Sequence, residues 1–214
     1  MVHRTPFFLP LLYPSLTWRM PDRANELFLT FDDGPVPGPT EFVLETLRKF
    51  NIKATFFCIG ENIRKHPAVF RAIVDHGHAI GNHTFNHLNG WKTKTGEYLK
   101  NVKLCRDEIE GQLPGRKENP DFTLFRPPYG RISRDQMKTL TGFRIIMWDV
   151  LSIDYNKNLL PEKCLKNTIA ATRTGSIIVF HDSYKAEKNL KYTLPRYIEH
   201  YLAQGFIFSA IKEI

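Results

Sequence analysis

Long hydrophobic runs, paired cysteines and low-complexity stretches are what this 214-residue chain has least of, and each lack removes a class of function. The apolar stretch Phe7-Phe-Leu-Pro-Leu-Leu-Tyr13 ends by Arg19, too short to span a bilayer, and Pro6, Pro10, Pro14 and Pro21 interrupt it. It follows His3 and Arg4 and faintly imitates a signal peptide, but no small-x-small cleavage site follows. Residues 1–25 therefore read as a segment packed on the domain or touching a membrane surface. Plugging a barrel bottom, anchoring to a membrane and mediating a dimer all remain open, and cytoplasmic is the default location. The three cysteines, Cys58, Cys105 and Cys164, are odd in number with no CxxC spacing, which excludes a disulfide framework and a structural zinc knuckle. Cys58 lies in Ala54-Thr-Phe-Phe-Cys-Ile59 and reads as an inert core thiol. No basic run of five or six residues occurs and no nucleic-acid motif is present. The net charge of +8 is then a dispersed basic surface, and no nucleic-acid partner is expected. Lys185, Lys188 and Lys191 do gather after His181, as a basic rim near one site.

What is present is an alternation. Strand patterns at 27–31, 54–59, 78–82, 122–126, 143–148, 176–180 and 206–209 are separated by helical ones. Phe42, Leu44, Leu47 and Phe50 follow Pro39-Thr40; Pro67 opens a helix through Val74; Tyr98, Val102, Cys105 and Ile109 repeat at helical spacing; Pro161 opens another; Leu194 to Leu202 forms the last. Ile177-Ile-Val-Phe180 and Phe143-Arg-Ile-Ile-Met147 look buried on both faces, as parallel strands are. About seven βα units in residues 26–214 predict one α/β domain, a distorted (β/α)7-8 barrel, with a doubly wound open sheet as the alternative. In a barrel the carboxyl ends of the strands share one face, where active sites sit. Asp32 and Asp33, His83, Arg126, Trp148 with Asp149 and then Asp154, and His181 with Asp182 all follow strands.

Each of these has a bland reading and a chemical one. Thr30-Phe-Asp-Asp-Gly-Pro35 sets two carboxylates side by side before a turn. Asp before Gly-Pro is common in turns, but adjacent like charges also call for a metal or a buried arginine. His83 and His87, four apart, lie on one face if the segment is helical. With Asp33 they form a two-His, one-carboxylate set suited to zinc, iron or manganese. Asp32 is then the candidate general base. Arg126, stiffened by two prolines, is placed to clamp a carboxylate. The Tyr129 N–H is a candidate oxyanion donor at the turn that follows. His181, oriented by Asp154, is the candidate general acid. His66, His76 and His78 lie nearby in sequence, and His78, at a strand start, reads as structural.

Together Thr30–Pro35, His83-Thr-Phe-Asn-His87, Arg126-Pro-Pro-Tyr129, Trp148-Asp149 through Asp154-Tyr155, and Ile177–His181 resemble the polysaccharide deacetylases, the NodB-homology group of carbohydrate esterases (family 4). The resemblance runs from about Leu27 to the C-terminus. It implies a distorted (β/α) barrel that hydrolyses the N-acetyl group of an N-acetylated carbohydrate of the N-acetylglucosamine type. It also implies a divalent metal on Asp33, His83 and His87, usually zinc, with cobalt, nickel or manganese as alternatives. Asp32 is then the base held by Arg126, Tyr129 the oxyanion donor, and His181 tuned by Asp154 the acid. Thr84 braces the histidine segment, and Trp148, Tyr155 and Val179 line an acetate pocket. Two positions depart from the family, which usually has Trp at Tyr155 and often Leu at Val179; the acyl preference is thereby open. Hydrolysis of another non-peptide C–N bond and a catalytically silent carbohydrate-binding protein are the competing readings.

Overall fold

A computed structural model describes residues 3–20, 25–113 and 124–211. Among these residues a sheet of eight strands is flanked by eight helices. The strands are β1 (Glu26–Asp32), β2 (Thr55–Cys58), β3 (Ala79–Asn82), β4 (Leu124–Phe125), β5 (Arg144–Ile145), β6 (Val150–Leu151), β7 (Ile177–His181) and β8 (Ile207–Phe208). The helices are α1 (Phe8–Leu12), α2 (Pro39–Lys49), α3 (Gly60–Lys65), α4 (Pro67–Asp75), α5 (Thr95–Gly111), α6 (Arg134–Thr139), α7 (Pro161–Ala171) and α8 (Glu187–Leu202). The named strands all pair in parallel, in the order β5-β4-β3-β2-β1-β7-β6, with β8 against the start of β1. This is the curled, incomplete barrel expected from the βα alternation.

Period-two alternation in the two central strands decides which side chains reach the site. Leu27, Leu29 and Phe31 of β1 and Ile178 and Phe180 of β7 turn outward into the large core shared with the helices. There Phe31 stacks on Phe56 at 5.0 Å between ring centroids, and each such buried ring contributes roughly 1.5–3 kcal/mol of transfer free energy. Phe28 and Ile177 turn inward with Phe57, Leu124 and Ile146 to fill the barrel. Continuing that inward row places Thr30, Asp32, Val179 and His181 on the same side, in register as Thr30↔Val179 and Asp32↔His181. Gly81 makes room in this interior: a Cβ there would meet the Phe57 ring at 2.4 Å.

Three expectations require correction. The 143–148 strand is cut to Arg144–Ile145, and the chain then forms β6 on the opposite edge of the sheet. The last helix begins at Glu187, seven residues before Leu194, and carries Pro195 inside it. Burial of Leu190, Leu194, Tyr197, Ile198 and Tyr201 on one stripe outweighs the roughly 3 kcal/mol that an interior proline costs. Helices α1, α3 and α6 are short, five to six residues, too brief for a periodic pattern. Of the 122–126 strand, residues 122 and 123 lie outside the described residues.

The seam between β5 and β6 is occupied by the N-terminal segment. Thr17 bridges Ile146 in parallel, while Arg4 and Arg19 bridge Val150 and Ser176 in antiparallel fashion. Leu9, Tyr13, Leu16 and Trp18 pack into the second core with Phe125, Ile145 and Met147. The outer side of α1 leaves Phe7, Phe8, Leu11 and Leu12 exposed. No helix among the described residues is long and apolar enough to cross a membrane.

Candidate active site

The carboxyl end of β1 delivers both aspartates. Asp32 closes the strand, and Asp33 turns away at φ 79°. Asp182 fixes that turn from beneath: its carboxylate accepts from the Gly34 amide at 3.0 Å and the Thr40 hydroxyl at 2.7 Å. A Cβ on residue 34 would fall 2.0 Å from the Asp182 carboxylate, so only glycine fits. Burial pushes the Asp182 carboxyl up to about 8 against the pull of these two donors.

His83 and His87 lie on a loop after β3, where a helical turn was expected. Thr84 and His87 adopt left-handed φ values of 61° and 55°, which break any helix and turn both rings to one side. Asn101 of α5 shapes this loop by accepting from the Phe85 and Asn86 amides at 2.7 and 3.0 Å. Thr84 braces it through Oγ1, which accepts from the Leu88 amide at 3.0 Å. The result brings one ligand atom each from Asp33, His83 and His87 within 4.8 Å of one another. His83 Nε2 lies 3.7 Å and His87 Nε2 3.2 Å from Asp33 Oδ1.

These residues fit a metal ion in their outer contacts as well. His83 Nδ1 donates to the Arg126 carbonyl at 2.8 Å, which leaves Nε2 as the lone-pair nitrogen. His87 Nδ1 lies 3.1 Å from the Tyr129 hydroxyl, again leaving Nε2 toward Asp33. Burial lowers His83 to about 4, so it is neutral at physiological pH, as a ligand must be. Burial alone would raise Asp33, but the His87 hydrogen bond and the charges of His181, His83 and His87 hold it well below the usual carboxylate range.

Arg126 is fully buried. Its NH1 donates to Asp32 Oδ1 and to Thr30 Oγ1, both at 2.7 Å. Its other nitrogens donate to the Ile146 and Met147 carbonyls at 3.1 and 2.9 Å, and the guanidinium rests 4.1 Å over the Phe57 ring. Every branch of the fork is held, so Asp32 is fixed at one oxygen. Among the described residues no other donor reaches that carboxylate.

Across the strand pair, His181 Nδ1 meets Asp154 Oδ1 at 2.7 Å, and Asp154 Oδ2 accepts the His181 amide at 2.8 Å. Burial would lower His181, yet the charge and hydrogen bond of Asp154 raise it to about 9. Tyr155 sets its ring edge-on to His181 at 5.0 Å. Tyr129 (φ 60°) and Gly130 (φ 66°) form the loop after β4, and a Cβ on Gly130 would fall 2.6 Å from the Trp148 ring. Val179 is buried on the same strand face as His181.

Asp149 is the site expectation that the structure moves. It accepts from Arg173 through both oxygens, at 2.9 and 2.7 Å, and from the Ser176 hydroxyl at 2.7 Å. Ser176 precedes β7, so this cluster lies at the opposite end of the strands from His181. His78 is likewise remote, with Nδ1 3.3 Å from the Ala54 amide at the start of β2. Sequence reasoning passed over Thr30, Phe57, Asn101 and the bracing role of Asp182. Only the adjacency of Asp182 to His181 offered a signal. Five of the seven non-glycine residues with positive φ among those described (Asp33, Thr84, His87, Tyr129, Ile153) sit in the site loops. Backbone strain is concentrated there, as functional geometry often requires.

The parallel barrel carries a two-histidine, one-carboxylate set between a clamped aspartate and an aspartate-backed histidine. The chain belongs to the polysaccharide deacetylase family, whose model matches residues 19–144. The family is metal-dependent. A peptidoglycan-N-acetylglucosamine deacetylase of Bacillus cereus is 38% identical over 165 residues, 76% of this chain and 58% of the relative. A second enzyme of that name from the same organism is 30% identical over 202 residues, 93% of this chain and 92% of the relative. The crystal structure of the Bc1960 peptidoglycan N-acetylglucosamine deacetylase superposes with a TM-score of 0.86 at 30% identity, covering 97% of this chain and 95% of that one. The chain thus spans about 58% of the first of these relatives and nearly all of the other two.

Proposed function

We propose that this protein hydrolyses the acetamide of N-acetylglucosamine-type units in an oligosaccharide or polysaccharide, releasing acetate and a free amine. The observation that carries this reading is the joint placement of three groups at one barrel mouth. Asp33, His83 and His87 have their ligand atoms within 4.8 Å, Arg126 holds Asp32, and Asp154 holds His181. The similarity to enzymes named for this activity supports it.

Asp33, His83 and His87 would hold a divalent metal, zinc being the best match to the donor set, with cobalt, nickel or manganese as alternatives. Bound there, the metal supplies a Lewis acid that polarises the acetyl carbonyl and lowers the pKa of water. Asp32 takes the proton of the attacking water at the oxygen that Arg126 leaves free. Arg126 keeps the carboxylate aimed, since each of its nitrogens is committed to a fixed partner. The Tyr129 N–H, presented by a left-handed residue, donates to the oxyanion of the tetrahedral intermediate. His181 gives its Nε2 proton to the sugar nitrogen as the C–N bond breaks, and Asp154 holds the opposite ring nitrogen and stabilises the charged ring. Trp148, Tyr155 and Val179 bound the space for the acetyl methyl.

Acetate release from N-acetylglucosamine oligomers and from peptidoglycan fragments tests the reading, comparing metal-free protein with protein reloaded with zinc, cobalt or nickel. Metal-dependent release that disappears in Asp32→Asn and His83→Ala is the expected result. One tightly bound metal without acetate from any substrate would shift the assignment to another C–N bond. The same substrate panel addresses location: a cytoplasmic enzyme should favour soluble sugars, an exported one the wall fragments.

A further inference from the structure

The loop that carries Asp154 has little of the sheet to hold it. β6 ends at Leu151, and the ladder closes one residue later with the Ser152 amide on the Val179 carbonyl at 3.1 Å. Ile153 then takes a left-handed φ of 59°, a conformation that a β-branched side chain disfavours. Strain of that kind persists only where neighbouring groups hold it. One side chain from a distant element does so. Asn189, in the first turn of α8, donates from Nδ2 to the Asp154 carbonyl at 3.0 Å and to the Asn156 carbonyl at 3.1 Å. Among the described residues it is the one donor to the Asp154 carbonyl. Both acceptors are carbonyls, so the amide can face them only through its nitrogen. Asn189 is 2% exposed, and its Oδ1 has no partner. Its helix neighbours Leu190 and Leu194 belong to the large apolar core. A buried amide with one unsatisfied end is costly there, and what offsets the cost is the pair of loop carbonyls.

The two carbonyls flank Tyr155, so a single amide brackets one residue from both sides. Asp154 stands before it, with a carboxylate that takes the His181 amide at 2.8 Å and His181 Nδ1 at 2.7 Å. Tyr155 itself sets its ring edge-on to the imidazole at 5.0 Å. We propose that Asn189 is a positioning residue for His181: by bracketing the Asp154–Asn156 turn it fixes where the Asp154 carboxylate stands, and through it where His181 Nε2 points. The inference rests on the deacetylase reading, in which that nitrogen protonates the leaving amine. Hydrogen bonds weaken steeply with misalignment, and a general acid aimed away from the leaving nitrogen loses its contribution. The effect is confined to the step that delivers a proton to the leaving group. Attack by water, which relies on Asp32 of β1, is untouched.

The test compares two acetyl substrates: an N-acetylglucosamine tetramer, whose amine must be protonated to leave, and 4-nitrophenyl acetate, whose phenolate leaves without a proton. Asn189→Leu keeps the volume and removes the donor. Its kcat on the tetramer should fall roughly tenfold or more, with KM and metal content unchanged, while ester hydrolysis stays within about twofold of wild type. In a His181→Gln background the same change should cost nothing further, because the two residues act as one unit. Equal losses on the two substrates, or losses that add in the double variant, would overturn the proposal. If Asn189→Leu does not fold, Asn189→Ser, too short to reach both carbonyls, carries the same comparison. A readout without turnover separates the two layers. In metal-free protein the Nδ1 proton of His181, bonded to Asp154, gives a downfield NMR resonance, which the Asn189 change should move upfield or broaden away. That change in an enzyme that releases no acetate from any glycan keeps the positioning role and removes the deacetylase assignment. An unmoved resonance removes the positioning role.

Discussion

Two arginine–aspartate pairs sit at opposite ends of the same barrel, each with a shortest contact of 2.7 Å, and they do different things. Arg173 grips both oxygens of Asp149 and Ser176 adds a third donor, so that carboxylate is saturated. Arg126 touches Asp32 at one oxygen only and spends its other donors on carbonyls and Thr30. The Arg173 side chain is 46% exposed, that of Arg126 is not exposed at all. A saturated carboxylate can only hold structure together; one clamped at a single oxygen in a dry site keeps a lone pair for a proton. On the proposed function, the difference between a staple and a base lies in the unshared oxygen, with identical residue types in both.

The sharpest way to break this comparison is to remove the two arginines. Arg126→Ala should cost about 3–5 kcal/mol of stability, because Asp32 is left as an uncompensated buried charge, and denaturant unfolding measures it. Asp32→Asn should reduce acetate release on the order of 10³-fold with metal content and circular dichroism retained. Asp149→Asn, the matched change at the other end, should leave turnover per folded molecule close to wild type. Turnover lost equally in both would end the distinction drawn here. A third effect is pH-dependent. His181 binds its proton up to about 9 in the metal-free fold, against 6.5 when unfolded. Its stabilising contribution is therefore fully present below pH 6.5 and lost as the pH rises through 9. The melting-temperature gap between metal-free wild type and His181→Gln should shrink across that window. Arg173→Ala should cost less than Arg126→Ala, since Arg173 is half exposed and the Ser176 hydroxyl still donates to Asp149; a thermal melt at two salt concentrations reads it.

How far the sequence foretold this depends on the range of the interaction. The βα alternation was legible in the alternating strand and helix patterns, and the strand ends that carry Asp32 and His181 followed from it; the inward row of Thr30, Asp32, Val179 and His181 needed the strand register. Asp33, His83 and His87, singled out by residue type, do meet within 4.8 Å even though the expected helix was wrong. Thr84 and His87 reach left-handed backbone values that neither residue's identity announces. Asn101 braces that loop from α5, 15 and 16 residues beyond the amides it holds, and a polar residue within a helical pattern carries no such label. Asp149 was misplaced because a two-residue β5 let the chain cross to the start of β6 sooner than a six-residue strand would have.

The bridging of the barrel seam has a consequence for biosynthesis. Thr5 donates its hydroxyl to the carbonyl of Trp148, 143 residues later, and Thr17 exchanges main-chain bonds with Ile145 and Met147. The segment from Arg4 to Met20 therefore completes its pairing only when the chain through Ser176 has been made. Until then the apolar stretch around Leu9 and Trp18 lacks half of the core it will join. A nascent chain in this interval is a natural client for chaperones. Protease resistance of residues 3–20 should become complete only once synthesis passes Ser176.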